Sequence, residues 1–233
     1  MKAAMLFSAV ALMVLPIFVT ARVRARLKFS RSLVALGAAS FVLSQVVHVP
    51  LLVKLQPGLL RPFWLAAAVL GLLAGLCEEL TRYLALRALK KTDVADGVGF
   101  GLGHGGVEAF LLGLVIFLAL VFRLPVASPT LSSVALQAQL PGWVPQAVLP
   151  VAERAMVLTL HVAFTLLVQQ SVRARRLRWL ALAVLAHGLV DAAVLYLFVN
   201  VGPLSAEAAL GLATLTAVPI IQHFLAHRDP PQG

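Results

Sequence analysis

The sequence is short of charge: only 12% of its 233 residues are Asp, Glu, Lys or Arg, while 61% are hydrophobic. A soluble domain carries about 25% charged residues, so this composition excludes a soluble globular protein and a disordered chain. A single cysteine, Cys77, excludes an intrachain disulfide. With a mean hydropathy of +0.97, much of the chain must have lipid as its solvent.

Several familiar catalytic signatures are also missing. The sequence has no Gly-x-Ser-x-Gly and no His-Glu-x-x-His, which excludes the common serine-hydrolase and zincin patterns. Six glycines lie between residues 97 and 106, but no Gly-Lys-Ser/Thr follows them, which argues against a phosphate-binding loop. Glycine there instead allows a broken or closely packed start of a helix.

What the sequence does contain is a series of apolar runs, each near the roughly 20 residues that a spanning helix needs. There are seven, at 3–21, 33–53, 63–86, 101–122, 151–172, 179–199 and 203–226. We therefore predict an all-α polytopic membrane protein, a bundle of about seven transmembrane helices forming one integral-membrane domain over residues 1–233.

The net charge of +10 is distributed in short clusters between the runs. Basic residues concentrate at 22–31, 87–91 and 173–178, and the intervening connections carry few or none. This positive-inside pattern, rather than a nucleic-acid-binding face, predicts an N-terminus outside and a cytoplasmic C-terminus. It also favours the bacterial cytoplasmic (inner) membrane, with 124–150 as an external loop that includes an interfacial segment around Trp143.

Ionisable side chains inside the apolar runs are the strongest functional signal, because such groups are costly in a bilayer. Spacings of three or four residues place several of them on shared helical faces. From a rise of 1.5 Å per residue, all lie roughly 5–18 Å from the predicted cytoplasmic side. We expect one polar cavity in that half of the bilayer, formed by Glu78, Glu79, Arg82, His104, Glu108, His161, His187 and Asp191.

This set suits hydrolysis by an activated water. Arg82 is placed to neutralise one carboxylate of the Glu78–Glu79 pair, and two carboxylates in different environments are a common source of a base near neutral pH. A Glu helped by His104 would deprotonate water, with the later His and Asp on the carbonyl side. Three histidines and a carboxylate leave a zinc site open, although a nearby Arg opposes a bound dication.

Other polar residues near the helix ends are predicted to be structural. His48, His223 and His227 lie where interfacial exposure is expected. Glu153 and Arg154 are predicted to form a capping or surface pair at the outer mouth of the fifth helix. Cys77 is predicted to be a core residue.

Three motifs occur in order: Glu78-Glu79-x-x-Arg82, Phe100-x-x-x-His104 and His187-x-x-x-Asp191. They resemble the motifs of glutamic-type intramembrane proteases, the group of CAAX-prenyl endopeptidases and bacteriocin-processing (CPBP) proteins. The glycine-rich context of His104 and Glu108 is similar to the YhfC-type branch. The resemblance covers roughly residues 63–200, the expected catalytic core.

The resemblance implies an intramembrane endopeptidase that uses neither metal nor cofactor. One Glu of the pair, Glu78 before Glu79, is the implied general base with His104, and His187 and Asp191 fill the oxyanion-side roles. The remaining members, Arg82, Glu108 and His161, are assigned support. The implied substrate is a peptide or a membrane protein, with lipid and no nucleic acid as the other contact.

Two other functions fit the same residues. A proton-coupled transporter or channel also uses intramembrane Glu, His and Asp, although no internal repeat is visible in the sequence. A non-catalytic scaffold or immunity protein is the third alternative, but it would not need paired carboxylates at matched depth.

Overall fold

The computed structural model describes residues 2–55, 60–89, 93–123 and 142–227. Within these ranges the chain forms seven α-helices, each long and apolar enough to cross a membrane. They are α1 (Lys2–Leu27), α2 (Arg31–Leu55), α3 (Phe63–Ala88), α4 (Val94–Phe122), α5 (Trp143–Ala174), α6 (Arg178–Asn200) and α7 (Pro203–Ala226). The predicted all-α bundle of seven membrane-spanning helices is confirmed.

The ends of the helices follow local chemistry. Before α4, the Asp93 side chain accepts from the backbone N–H of Asp96 at 2.8 Å, and the Asp96 side chain accepts from the backbone N–H of Asp93 at 3.2 Å. This reciprocal capping box starts α4 at Val94, seven residues before the apolar run at 101. Left-handed residues end α4 at Arg123 and α5 at Arg175.

The outer surface of the bundle is made of large apolar side chains. Val53 and Leu189 are each 71% exposed and Leu215 is 69% exposed. Such a surface is tolerated only where lipid replaces water. These residues lie on helices whose other faces are buried in the bundle, so the chain packs as an integral membrane protein.

Glycines bring two pairs of helices into close contact around the polar residues. A Cβ on Gly103 of α4 would overlap the backbone carbonyl of Val34 in α2, and a Cβ on Gly71 of α3 would overlap the carbonyl of Gly188 in α6. Small residues permit this approach of backbones in membrane helices. The glycine-rich segment therefore forms a continuous, closely packed helix start, and the broken-helix alternative is wrong.

Two details of the predicted connections need revision. Residues 143–150 belong to α5, so the prediction of a loop over 124–150 is wrong at its end. Pro150 lies inside the helix, where its missing N–H removes one backbone hydrogen bond. Residues 124–141, and Lys90 and Lys91 of one predicted basic cluster, lie outside the described residues. The orientation of the termini stays a prediction.

Candidate functional site

Glu79 and Arg82 form a buried ion pair at the centre of the bundle. Arg82 Nη1 donates to both carboxylate oxygens of Glu79 at 2.9 Å, and both side chains are fully buried. Arg82 was predicted to neutralise one carboxylate of the Glu78–Glu79 pair, and that carboxylate is Glu79. The three-residue spacing places Glu79 and Arg82 on one face of α3. The other terminal nitrogen of Arg82, Nη2, donates to His161 Nδ1 at 3.1 Å.

Glu78 lies beside this pair without a guanidinium or ammonium partner. Its Oε2 is 3.1 Å from His104 Nε2 and 4.0 Å from His187 Nε2, while its Oε1 is 3.4 Å from Gln45 Nε2. Its side chain is 8% exposed, and within the described ranges it has no ion pair with Lys or Arg. A buried carboxylate in this position calls for a proton or a cation.

The hydrogen bonds of His104 and His187 orient both rings toward Glu78. Ser40 Oγ donates to the carbonyl of Gly37 at 2.9 Å, so at 2.8 Å it accepts from His104 Nδ1–H. The ring of His187 donates from Nδ1 to Glu79 Oε1 at 2.8 Å. Each ring therefore turns its Nε2 atom to the Oε2 atom of Glu78.

His161 has a different environment, since both of its nitrogens are already in use. Its Nδ1 accepts from Arg82, so its Nε2 carries the proton and donates to Glu108 Oε2 at 2.7 Å. Glu108 in turn accepts from Arg154 Nη1 at 2.7 Å. Glu108 and His161, predicted to play supporting roles, thus belong to a partly buried hydrogen-bonded chain that ends on Arg82, and the supporting role stays a prediction.

The interpretation of Glu153 and Arg154 as a capping or surface pair is wrong. Glu153 is buried, the Arg154 side chain is 13% exposed, and Arg154 bonds both Glu153 and Glu108. The long Arg154 side chain reaches inward because Glu108, on α4, offers a carboxylate whose other partner among the described residues is His161. Sequence spacing within α5 carries no sign of this contact between helices.

Asp191 lies at the edge of the cluster. Its Oδ2 is 3.5 Å from His187 Nε2, and its side chain is 41% exposed. The spacing of four residues in α6 puts His187 and Asp191 on one face, as predicted. Asp191 is therefore the member of the set that is most open to an incoming molecule.

Aromatic contacts restrain the imidazole rings further. Phe164 stacks on His187 with ring centroids 5.0 Å apart and planes 14° apart, and Phe41 contacts His104 edge-on at 5.3 Å. Rings held between a hydrogen bond on one side and an aromatic contact on another have little rotational freedom. The cluster is therefore preorganised.

The structure brings all eight predicted site residues into one connected cluster. Sequence reasoning missed that residues of α2 also belong to it. Ser40 orients His104, and Gln45 contacts Glu78. The available signal was a row of polar residues, Ser40, Ser44 and His48, at intervals of four in an apolar helix. His48, predicted to be interfacial, is only half-buried and its Nδ1 is 3.4 Å from Gln45 Oε1, whereas His223 and His227 are exposed as expected.

The cluster also contains atoms that a metal ion uses as ligands. Glu78, His104 and His161 each offer one ligand atom within 4.8 Å of the others, and all three are buried. Carboxylate and imidazole are common zinc ligands. Cys77, on the same helix, is buried as predicted and takes no part in this group.

Comparisons with known proteins point to one family. A family model described as "YhfC intramembrane metalloprotease" matches residues 11–210. The "uncharacterized membrane protein YhfC" of Bacillus subtilis (strain 168) is 34% identical over 145 residues, which cover 54% of this chain and 55% of that protein. The match thus spans about half the length of that relative. No solved structure matches the chain.

Proposed function

Because the chain belongs to the YhfC intramembrane metalloprotease family, we propose that it hydrolyses peptide bonds within the membrane and that Glu78 is the centre of the reaction. The observation that carries this assignment is the contrast between the two adjacent glutamates. Glu79 is saturated by Arg82 and His187, whereas Glu78 faces only neutral donors and two imidazole Nε2 atoms. Family membership favours a protease over the transporter and scaffold alternatives.

The proposed chemistry starts with a water between Glu78 and His104. Glu78 Oε2 and His104 Nε2 are 3.1 Å apart, within direct hydrogen-bonding distance, so the two side chains must separate to admit a water that contacts both. In the metal-free route Glu78 takes the proton of this water, and general-base help of this kind contributes about 10²–10⁴-fold. Ser40 keeps His104 in the tautomer whose Nε2 faces the water.

His187 and Asp191 are proposed to act on the substrate side. Asp191 is the most exposed member, and His187 Nε2 lies between it and Glu78. In the metal-free route a carbonyl placed at His187 would be near the attacking water, and a doubly protonated His187 would stabilise the developing negative charge. Glu79 is a positioning residue in this scheme, because its oxygens hold Arg82 and the Nδ1–H of His187.

The residues also fit a divalent metal. Two ligands of one tetrahedral zinc lie about 3.3 Å apart when metal–ligand bonds are about 2.0 Å, close to the 3.1 Å between Glu78 Oε2 and His104 Nε2. Both histidines with a free Nε2 have a hydrogen-bonded Nδ1–H, the arrangement common around ligating histidines. A metal would also supply the cation that Glu78 lacks.

Arg82, expected from the sequence to oppose a metal, is compatible with one in this geometry. Its charge is matched by Glu79, and its Nη2 points at His161 rather than at Glu78. The same donation makes His161 a poor ligand, since a metal at its Nδ1 would have to displace Arg82. We propose Glu78, His104 and His187 as the metal-holding set.

When bound, a metal would supply a Lewis acid that polarises the carbonyl and acidifies water. We favour this metal-dependent route over the metal-free glutamic route, because the family description and the ligand geometry agree. Zinc content distinguishes the ligand sets. His187→Gln is expected to lose zinc and His161→Gln to retain it, and the reverse result would assign His161 as the ligand.

The proposed catalytic core is larger than residues 63–200. Ser40 and Gln45 both contact catalytic side chains, so the core includes α2. The proposed substrate is a peptide or a membrane-protein segment, reached from the bilayer of the bacterial cytoplasmic membrane, in the half of the bilayer nearer the cytoplasm.

Peptide cleavage tests the function directly. Purified protein in detergent is incubated with a peptide library, and products are identified by mass spectrometry. We expect cleavage by the wild type and none by Glu78→Gln. Glu207→Gln is the matched control, since it removes a carboxylate of α7 outside the cluster. Equal cleavage by Glu78→Gln and Glu207→Gln would overturn the assignment.

A further inference from the structure

A second recess lies between α1, α2 and α4, apart from the Glu78 cluster. Its volume is about 510 Å³, and its walls are mostly apolar, with Pro16, Ile17 and Phe110 at one end. The other end carries two cations, Arg24 near the end of α1 and Arg31 at the start of α2. We call this recess the basic-ended groove.

The groove has the dimensions of one lipid tail in one leaflet. Its lining on α4 runs from Leu102 to Phe110, which is about 12 Å at 1.5 Å per residue. One leaflet of hydrocarbon is about 15 Å thick, half of the roughly 30 Å core. The arginine end adjoins the turn between α1 and α2, where a headgroup would lie, and the apolar end extends into the hydrocarbon.

The groove is not a path to the proposed catalytic cluster. Successive residues of an α-helix are about 100° apart, so Gly106 and Phe110 face away from His104 and Glu108 on α4. The first two line the groove, while the second two bond Glu78 and His161. An occupant of the groove would therefore contact the back of α4, without reaching the substrate side.

Charge at the groove mouth selects the headgroup. Arg24 donates from Nε to the carbonyl of Phe29 at 3.1 Å, which anchors its guanidinium at the turn, and Arg31 is exposed beside it. A guanidinium pairs well with phosphate, often through two parallel hydrogen bonds, and two guanidinium groups repel a headgroup that carries its own cation, such as choline. Lipid phosphates lie at the depth where a spanning helix ends.

We propose that the basic-ended groove is a binding site for one anionic phospholipid, with a tail against α4 and the phosphate between Arg24 and Arg31. The inference is independent of the proposed protease activity. Binding in the groove differs from general attraction to a basic surface in two ways. The tail occupies a defined recess, and only some of the arginines near the turn line that recess.

Native mass spectrometry tests the proposal. The delipidated protein receives phosphatidylglycerol and phosphatidylcholine with identical chains, and the bound ratio is measured. The wild type is expected to prefer phosphatidylglycerol. Since each arginine near a lipid surface contributes about fivefold to attraction, Arg24→Gln/Arg31→Gln is expected to reduce the preference on the order of 30-fold. Arg22→Gln/Arg26→Gln, on exposed neighbours outside the groove, is expected to reduce it far less, through general surface attraction alone.

A second pair of variants tests the tail while leaving every charge in place. Ala35→Phe fills the groove from its exposed side, and Ala39→Phe adds the same ring on an exposed position outside it. Only Ala35→Phe is expected to lower lipid retention. The proposal is overturned if both arginine pairs reduce the preference equally, if the two phenylalanine variants behave alike, or if the wild type binds both lipids equally.

Discussion

Replacing each glutamate of the adjacent pair with glutamine should affect a different property. Glu79→Gln should lower the unfolding midpoint, whereas Glu78→Gln should abolish activity and leave the midpoint nearly unchanged. Glu79→Gln removes the only anion that pairs with the fully buried Arg82 among the described residues. Leaving one partner of a buried ion pair uncompensated costs about 3–5 kcal/mol. At roughly 2–4 °C per kcal/mol for a chain of this size, the unfolding midpoint should fall by roughly 6–20 °C.

Glu78→Gln removes a carboxylate that has no guanidinium or ammonium partner within the described residues. The uncharged amide relieves an uncompensated buried charge, so in the presence of a chelator the midpoint should stay within roughly 3 °C of the wild type. Activity should instead be lost, because the group proposed as a metal ligand, or as the base in the metal-free route, is gone. The two variants have identical chemistry and adjacent positions, so each is the control of the other.

Unfolding can be followed in detergent with a thiol-reactive fluorescent dye. Cys77 is the single cysteine of the chain and is buried beside Glu78, so the dye reacts when α3 separates from its neighbours. Equal midpoints for the two variants, or a larger loss for Glu78→Gln in chelator, would refute the assignment of Arg82 to Glu79.

Two further substitutions test the support of the site. Ser40→Ala removes the acceptor of His104 Nδ1–H and should lower kcat on the order of 10–100-fold. Ser8→Ala, at a buried serine that bonds a carbonyl of its own helix α1, should leave kcat unchanged, and similar rates for both variants would contradict the role of Ser40. Gly103→Ala should lower the free energy of unfolding by about 1–3 kcal/mol, because the added Cβ overlaps α2. Gly211→Ala should unfold like the wild type, because its added Cβ meets its nearest atom at 3.7 Å. Thermal unfolding of the two variants measures the difference.

The sequence predicted the helices well because the membrane imposes a simple rule on length and hydropathy. It predicted the start of α4 less well, because a polar capping box and six glycines hide a helix from any hydropathy window. The glycines are acceptable there since α4 packs against α2 at backbone distance, as at Gly103 and Val34. That contact is a property of the fold and leaves no local pattern.

Part of the site was predictable for a similar reason. Helical spacing identified Glu79 with Arg82 and His187 with Asp191, because both pairs lie within one helix. Contacts between helices were not predictable. Nothing in the spacing of residues links Ser40 to His104, and a long side chain such as Arg154 can reach a partner on another helix.

The most direct test of the account measures peptide cleavage by wild type and Glu78→Gln after removal of metal and again after zinc is returned. The account predicts that the wild type cleaves with zinc and not in chelator, and that Glu78→Gln cleaves in neither condition although its unfolding midpoint in chelator is retained. Wild-type cleavage that survives the chelator would contradict the metal-dependent route. Cleavage by Glu78→Gln at the wild-type rate would contradict the central role of Glu78.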